Sequence, residues 1–163
     1  GLPQEHFIRA YPFAATANLF VRAATFHAVG PFDASLQSAG DREWGERLAS
    51  TGRRFAFAPQ AVVDHPTRPT WGELTRKHRR IARGMADLEA DQPARVVLAA
   101  IASEARGGLS FCKEVWTLPE PEAFRARLAF ALAFGYVRSL RSGIRLRRFA
   151  TRRIGRAVLR SRR

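Results

Sequence analysis

The sequence predicts an α/β fold, in which the short strands of a partial mixed sheet precede a mainly helical C-terminal region. Three observations predict it. Ala14–Val21, Arg54–Ala58 and Ala61–Val63 are short runs with buried or alternating strand patterning, set off by Pro or Gly. From Thr70 onward, helical periodicity and cap signals take over. A chain of 163 residues, 46% of them hydrophobic, can bury one real core and is not globally disordered.

The elements follow in order. Residues 1–15 hold Pro3, Pro12 and scattered aromatics and read as loop with a short strand at most. Ala14–Val21 reads as a buried strand interrupted by Asn18. Ala23–Val29 is a short helix, with Gly30 in the left-handed position after its end, and Gly30-Pro31 breaks the chain. Asp41 can cap the next helix, its carboxylate accepting from the free amides of the first turn. Trp44 and Leu48 share one face of that helix, and Gly52 ends it. The alternation RFAFA turns Phe55 and Phe57 toward a core. Pro59 turns the chain into Ala61–Val63, a second strand that leaves through Asp64-His65-Pro66.

Thr70-Trp71-Gly72-Glu73 matches a capping box and starts a helix predicted to run to Glu89. That helix carries Lys77, His78, Arg79, Arg80 and Arg83. Pro93 fits the first turn of a following helix, which should stop at Gly107-Gly108. Leu109–Leu118 stays open between helix and loop. After the Pro119–Pro121 break, a helix is predicted from Glu122 to Leu140. From Ile144 a basic amphipathic helix sets Ile144, Phe149, Ile154 and Val158 among arginines. The chain thus divides into residues 1–90, a helical region 91–142 and a basic amphipathic tail 143–163.

The net charge of +14 is concentrated at one end. Eleven of the 28 basic residues lie between Arg138 and Arg163, a span without an acid, so the other 17 nearly balance the 14 acids. An anionic partner for this tail is the natural expectation, either a membrane surface or nucleic acid. No helix-turn-helix, zinc-finger or RNA-recognition signature accompanies the charge, which disfavours nucleic acid. A solvated tail is the third option. The single cysteine, Cys112, excludes an intramolecular disulfide framework. The N-terminus shows no basic start followed by an apolar run. It begins at Gly1 without methionine, as a fragment or processed piece would. No run of roughly 18 apolar residues marks a spanning helix.

Three clusters in the first half carry denser chemistry: Thr16-Ala17-Asn18-Leu19-Phe20, Val29-Gly30-Pro31-Phe32-Asp33, and Gly40-Asp41-Arg42-Glu43-Trp44 with Arg47. In this order and spacing they resemble the C-terminal, acceptor-side half of family 2 glycosyltransferases of the GT-A fold. The resemblance covers Pro12 to Gly84, about half of the chain. It implies a GT-A-like segment and transfer of a sugar, with inversion, from a nucleotide-sugar donor to a cell-surface polysaccharide or a glycan or lipid-linked acceptor. It also implies a cytoplasmic protein, peripheral on the inner face of the membrane and docked there through Arg138–Arg163. The family's donor half, with its nucleotide-binding βαβ units and Asp-x-Asp motif, has no counterpart here. No Asp-x-Asp and no Gly-rich phosphate loop occurs in the sequence.

The resemblance also assigns roles. Inverting transfer needs a carboxylate to take the acceptor hydroxyl's proton as the new bond forms. Asp41 matches the aspartate of the family's Glu-Asp pair, whose first acid is Gly40 here. Its alternative is a helix cap. Thr16, Asn18, Arg42 and Glu43 would shape the acceptor side. Glu43 also suits a first-turn acid favoured by the helix dipole. Trp44 can stack on a sugar face or belong to the core. His65 would help hold a divalent metal, Mg²⁺ or Mn²⁺, on the diphosphate, or else hydrogen-bond backbone at a strand end. Arg80 and Arg83 would meet the diphosphate leaving group, or form a solvated basic face.

Overall fold

The computed structural model describes residues 4–64, 66, 68–118 and 123–161, with the side chains of Cys112 and residues 156–161 outside the described set. The chain forms two compact units, Gly1–Pro69 and Thr70–Arg163.

The first unit contains α1 (Gln4–Ala10), a 3-10 turn (Thr16–Asn18), α2 (Ala23–Val29) and α3 (Gly40–Ser50). No strand forms among the described residues, so the predicted α/β sheet of GT-A type is overturned, and the regular structure described is all helical. The physical reason lies in where the backbone polar groups go. In Ala14–Val21 they are taken by a side chain. The Gln4 amide donates to the carbonyls of Ala15 (3.1 Å) and Asn18 (2.9 Å) and accepts from the Ala15 amide (2.8 Å). The Asn18 amide then closes the 3-10 turn onto Ala15. In 61–63, the amides of Ala61 and Val62 turn back to Ala58 and Gln60. Phe57, predicted to face a core, is exposed. Alternation marks an extended chain, but a strand also needs a partner strand to complete its ladder, and none forms among the described residues.

The helices of this unit follow their signals more closely. α2 ends as predicted at Gly30, whose φ of 88° only glycine adopts without strain, and the Gly30 amide bonds the Phe26 carbonyl. α3 ends at Gly52, φ 76°. Its start differs from expectation: Ala39 occupies the cap position, in the left-handed region (φ 67°), and no side chain caps the helix. Asp41 already lies within the first turn.

The second unit is built from α4 (Trp71–Leu88), α5 (Ala94–Glu114) and α6 (Phe124–Ser161), with α6 packed against both others. Thr70 caps α4 as predicted. Its hydroxyl accepts from the Glu73 amide (3.3 Å) and donates to the Glu73 carboxylate (3.1 Å). Pro93 stands at the cap position of α5 and not inside its first turn.

Two predicted stops do not occur. α5 passes through Gly107-Gly108, because these glycines make room for α6. A Cβ on Gly108 would come within 3.0 Å of the Arg138 Cβ. Glycine in a helix costs about 1 kcal/mol relative to alanine, and the close approach of two helices offsets it. α6 in turn runs unbroken for 38 residues, joining the helix predicted to end at Leu140 to the predicted tail. The core between the three helices is made of alanine and β-branched residues, among them Ala82, Ala86, Val97, Ile101, Ala131 and Val137.

A charged seam runs through this interior. Arg138, Arg141, Arg145, Arg148 and Arg152 recur at spacings of three and four, which places them on one side of α6. That side faces the bundle. Arg145 is buried, forking to Glu104 (2.6 Å) and to Glu89. Glu104, also buried, additionally meets Arg141 at 2.8 Å and Arg138 at 3.7 Å. Asp87 receives Arg148 (2.9 Å) and Arg152 (2.5 Å). Arg152 also donates to the Ala86 carbonyl. Five of the arginines expected to reach an outside anion are therefore engaged within the protein.

Candidate active site

The second and third sequence clusters are one structure. Trp44 of α3 is completely buried, with Phe26 (centroids 5.9 Å) and Phe32 (5.6 Å) against its ring. Its indole N–H donates to the Gly30 carbonyl at 2.8 Å. Three residues on, Arg47 reaches back to the same loop, donating to the carbonyls of Val29 (2.8 Å) and Pro31 (2.7 Å). Glu43, one turn earlier on α3, fixes the guanidinium by accepting from Nε (2.6 Å) and Nη2 (3.0 Å). These bonds hold a helix end whose carbonyls lack intrahelical partners, and they aim the start of α3.

On the other side of α3, Gly45 allows contact with the preceding loop. A Cβ there would lie 2.5 Å from the Pro12 carbonyl oxygen and 2.6 Å from the Phe13 Cβ. The tryptophan, the Arg47–Glu43 pair and this glycine thus fix α3 from both sides.

Asp41 sits half-buried at the head of this fixed helix, where its Oδ1 accepts from the Arg42 amide at 2.9 Å. Among the described residues it joins no ion pair. The other two acids of α3 do: Glu43 with Arg47, and Glu46 with Arg42 at 2.8 Å. The Arg42 guanidinium also lies 6.0 Å from the centre of the Tyr11 ring. Asp33, by contrast, closes its own turn by accepting from the amide (2.8 Å) and hydroxyl (2.7 Å) of Ser35, and the hydroxyl bond foremost lowers its pKa.

Thr16 opens the 3-10 turn and is exposed. Asn18 closes it and donates from Nδ2 to the Ala61 carbonyl at 2.7 Å, while its Oδ1 is buried without a hydrogen-bond partner. That bond ties the turn to the stretch leading toward His65. His65 itself lies outside the described residues. Among the described residues no three His, Cys, Asp or Glu side chains converge as a metal site.

Arg80 and Arg83 belong to the second unit, exposed on α4, and the Arg83 carbonyl accepts from Arg148 at 3.3 Å. The sequence reading missed the charged seam beside them. Its signals were present: the three-four spacing of the arginines, and Glu104 in line with Val97, Ile101 and Gly108 on the inner face of α5. It also passed over His78, which packs near this seam. Burial foremost, then the nearby Arg141 and Lys77, lower its pKa to about 4 against the opposing pull of Glu104. Arg138 adds to the lowering.

Comparison with known proteins gives one informative match. A 71-residue stretch, 44% of the chain, is 42% identical to the glycosyltransferase AglE of Haloferax volcanii. The match spans 23% of that protein, so the chain corresponds to less than a quarter of this relative's length. No family model matches, and no solved structure matches.

Proposed function

We propose that the chain is the acceptor-side segment of an inverting glycosyltransferase of family 2 type, with Asp41 as the general base. The observation that carries this reading is the 42% identity over 71 residues to a protein named as a glycosyltransferase. The geometry supports the choice of residue. Glu43 and Trp44 hold the α2–α3 loop and Glu46 is paired, which leaves Asp41 as the acid of α3 without a cationic partner among the described residues. It stands in a first turn whose position is fixed from two sides.

In the proposed step the acceptor hydroxyl oxygen attacks the anomeric carbon of a nucleotide-sugar. The bond from that carbon to the diphosphate oxygen breaks, and the hydroxyl proton passes to the Asp41 carboxylate. The diphosphate leaves with the bonding electrons. Thr16, Asn18 and Arg42 would border the acceptor, a glycan or lipid-linked sugar.

The test is a transfer assay with UDP-, GDP- and dTDP-sugars, with Mg²⁺ or Mn²⁺ supplied. It is run on this chain and on the product of the full reading frame that encodes it. Asp41→Asn should lower turnover at least 100-fold while donor affinity, read by calorimetry, stays unchanged. Wild-type turnover in Asp41→Asn would remove Asp41 as the base, and absence of nucleotide-sugar binding in both polypeptides would overturn the transferase reading.

A further inference from the structure

The charged seam has a counterpart on the opposite side of α6. With five of its arginines turned inward, the long helix presents apolar residues outward. Phe124, Leu128, Leu132 and Tyr136 follow one another at intervals of four and are all exposed, Leu132 at 61%. Beyond Tyr136 the same side carries small residues, Ser139 and Gly143, and then exposed Leu146 and Ile154. At about 1.5 Å per residue this stripe runs for roughly 45 Å. Soluble monomers rarely leave a row of large apolar side chains such as Phe124, Leu128 and Leu132 in water.

Three features indicate what covers it. First, α6 holds no acidic residue along its whole length, while Arg125, Arg147 and Arg153 are exposed on it. A partner with an acidic surface meets no repulsion there, whereas a second copy would bring arginine against arginine. Second, exposed tryptophans adjoin the stripe. Trp71 packs edge-on against Tyr136 (5.6 Å), and Trp116 lies against Phe124 (5.3 Å). Tryptophan and tyrosine favour the headgroup level of a bilayer. Third, among the described residues no helix is long and apolar enough to cross a membrane, so α6 would lie along the surface.

We propose that the outward face of α6 is a docking surface for an anionic lipid bilayer, with Leu128, Leu132 and Leu146 entering the acyl boundary and Arg147 and Arg153 at the level of the phosphates. The apolar stripe supplies insertion, and the flanking arginines select negative headgroups. The proposal stands apart from the transferase reading, since it rests on the second unit alone.

The experiment mixes the full chain with vesicles of phosphatidylcholine, with and without phosphatidylglycerol, and reads binding by sedimentation and tryptophan quenching by brominated lipid. Binding should require phosphatidylglycerol. The double variant Leu128→Asp, Leu132→Asp should bind at least tenfold more weakly with unchanged far-ultraviolet dichroism. Arg147→Gln and Arg153→Gln should each weaken binding about fivefold. Brominated acyl chains should quench the unmodified chain, and Trp71→Phe with Trp116→Phe should abolish the quenching while the buried Trp44 remains bright. The quenching in the unmodified chain needs no folding control. Vesicle binding that weakens with salt but ignores the leucine variants would overturn the proposal, as adsorption by charge alone. So would absence of quenching, or concentration-dependent self-association without vesicle binding.

Discussion

Arg145 of α6 donates to Glu104 of α5 at 2.6 Å, with both side chains about 95% buried. A pair so removed from water is stable only while complete, because either partner left alone is an uncompensated buried charge. Glu104→Ala should therefore destabilise the second unit by about 3–5 kcal/mol. Replacing both residues together by leucine should recover only part of that loss, because it leaves Glu89 and Arg141 without their partners. Urea unfolding followed by helical dichroism measures both. A loss under about 1 kcal/mol for Glu104→Ala would mean that water reaches the pair.

The same seam shows what the sequence could and could not convey. The three-four recurrence of Arg138, Arg141, Arg145, Arg148 and Arg152 is an inward-facing periodicity, but arginine ordinarily marks the solvent side, so the sequence alone points it at an outside anion. Only the acids opposite, Glu89, Glu104 and Asp87, reveal its direction, and they lie 34 or more residues away in sequence. Caps were readable because they are local: Thr70 with Glu73, Gly30 and Gly52 all act within a turn of chain. Strands failed for the converse reason. Phe55 and Phe57 alternate as a strand would, yet pairing depends on a neighbour that no local pattern encodes. Around Asp41 the ordering of the clusters was readable. The division of labour was not, since Glu43, Trp44 and Arg47 become structural only once the α2–α3 loop folds beneath them.

His78 introduces a pH dependence into the second unit. It comes from α4, with Arg138, Arg141 and Glu104 facing it from α6 and α5 and Lys77 beside it on α4. Its folded pKa of about 4 lies below the ordinary value of 6.5. Between these values the unfolded chain binds a proton that the folded one refuses, so stability should fall as pH drops from 7 to 4 and hold steady above 7. The urea midpoint at half-unit pH steps tests it, with His78→Gln as control. The variant's profile should be flatter over that window. An equal slope in both proteins would place the titration elsewhere.

Gly45 should tolerate no side chain. A methyl group there meets the backbone at Pro12 and Phe13, which cannot move aside as a flexible side chain would. Gly45→Ala should cost about 1–3 kcal/mol by overpacking, against the gain of up to about 1 kcal/mol expected of glycine to alanine in an unhindered helix. Gly40→Ala, with open space around its Cβ, is the matched control on the same helix. A stabilised Gly45→Ala would show that the 12–13 loop does not press on α3.

The last comparison separates chemistry from architecture at α3. Arg47 grips the Val29 and Pro31 carbonyls with two separate nitrogens while Glu43 holds the same guanidinium. Lysine, a single compact ammonium, cannot reproduce that fork. Arg47→Lys should then cost about 1–3 kcal/mol and speed hydrogen exchange at the Trp44 indole, whose acceptor is the Gly30 carbonyl in the same loop. Asp41→Asn keeps the shape and the acceptor oxygen that meets the Arg42 amide, so its stability should change by no more than about 0.5 kcal/mol. If Asp41 is the base, Asp41→Asn removes turnover from a stable protein, and Arg47→Lys weakens the protein and lowers turnover only in proportion to the fold it loses. A destabilised Asp41→Asn would reverse the assignment and make Asp41 part of the scaffold.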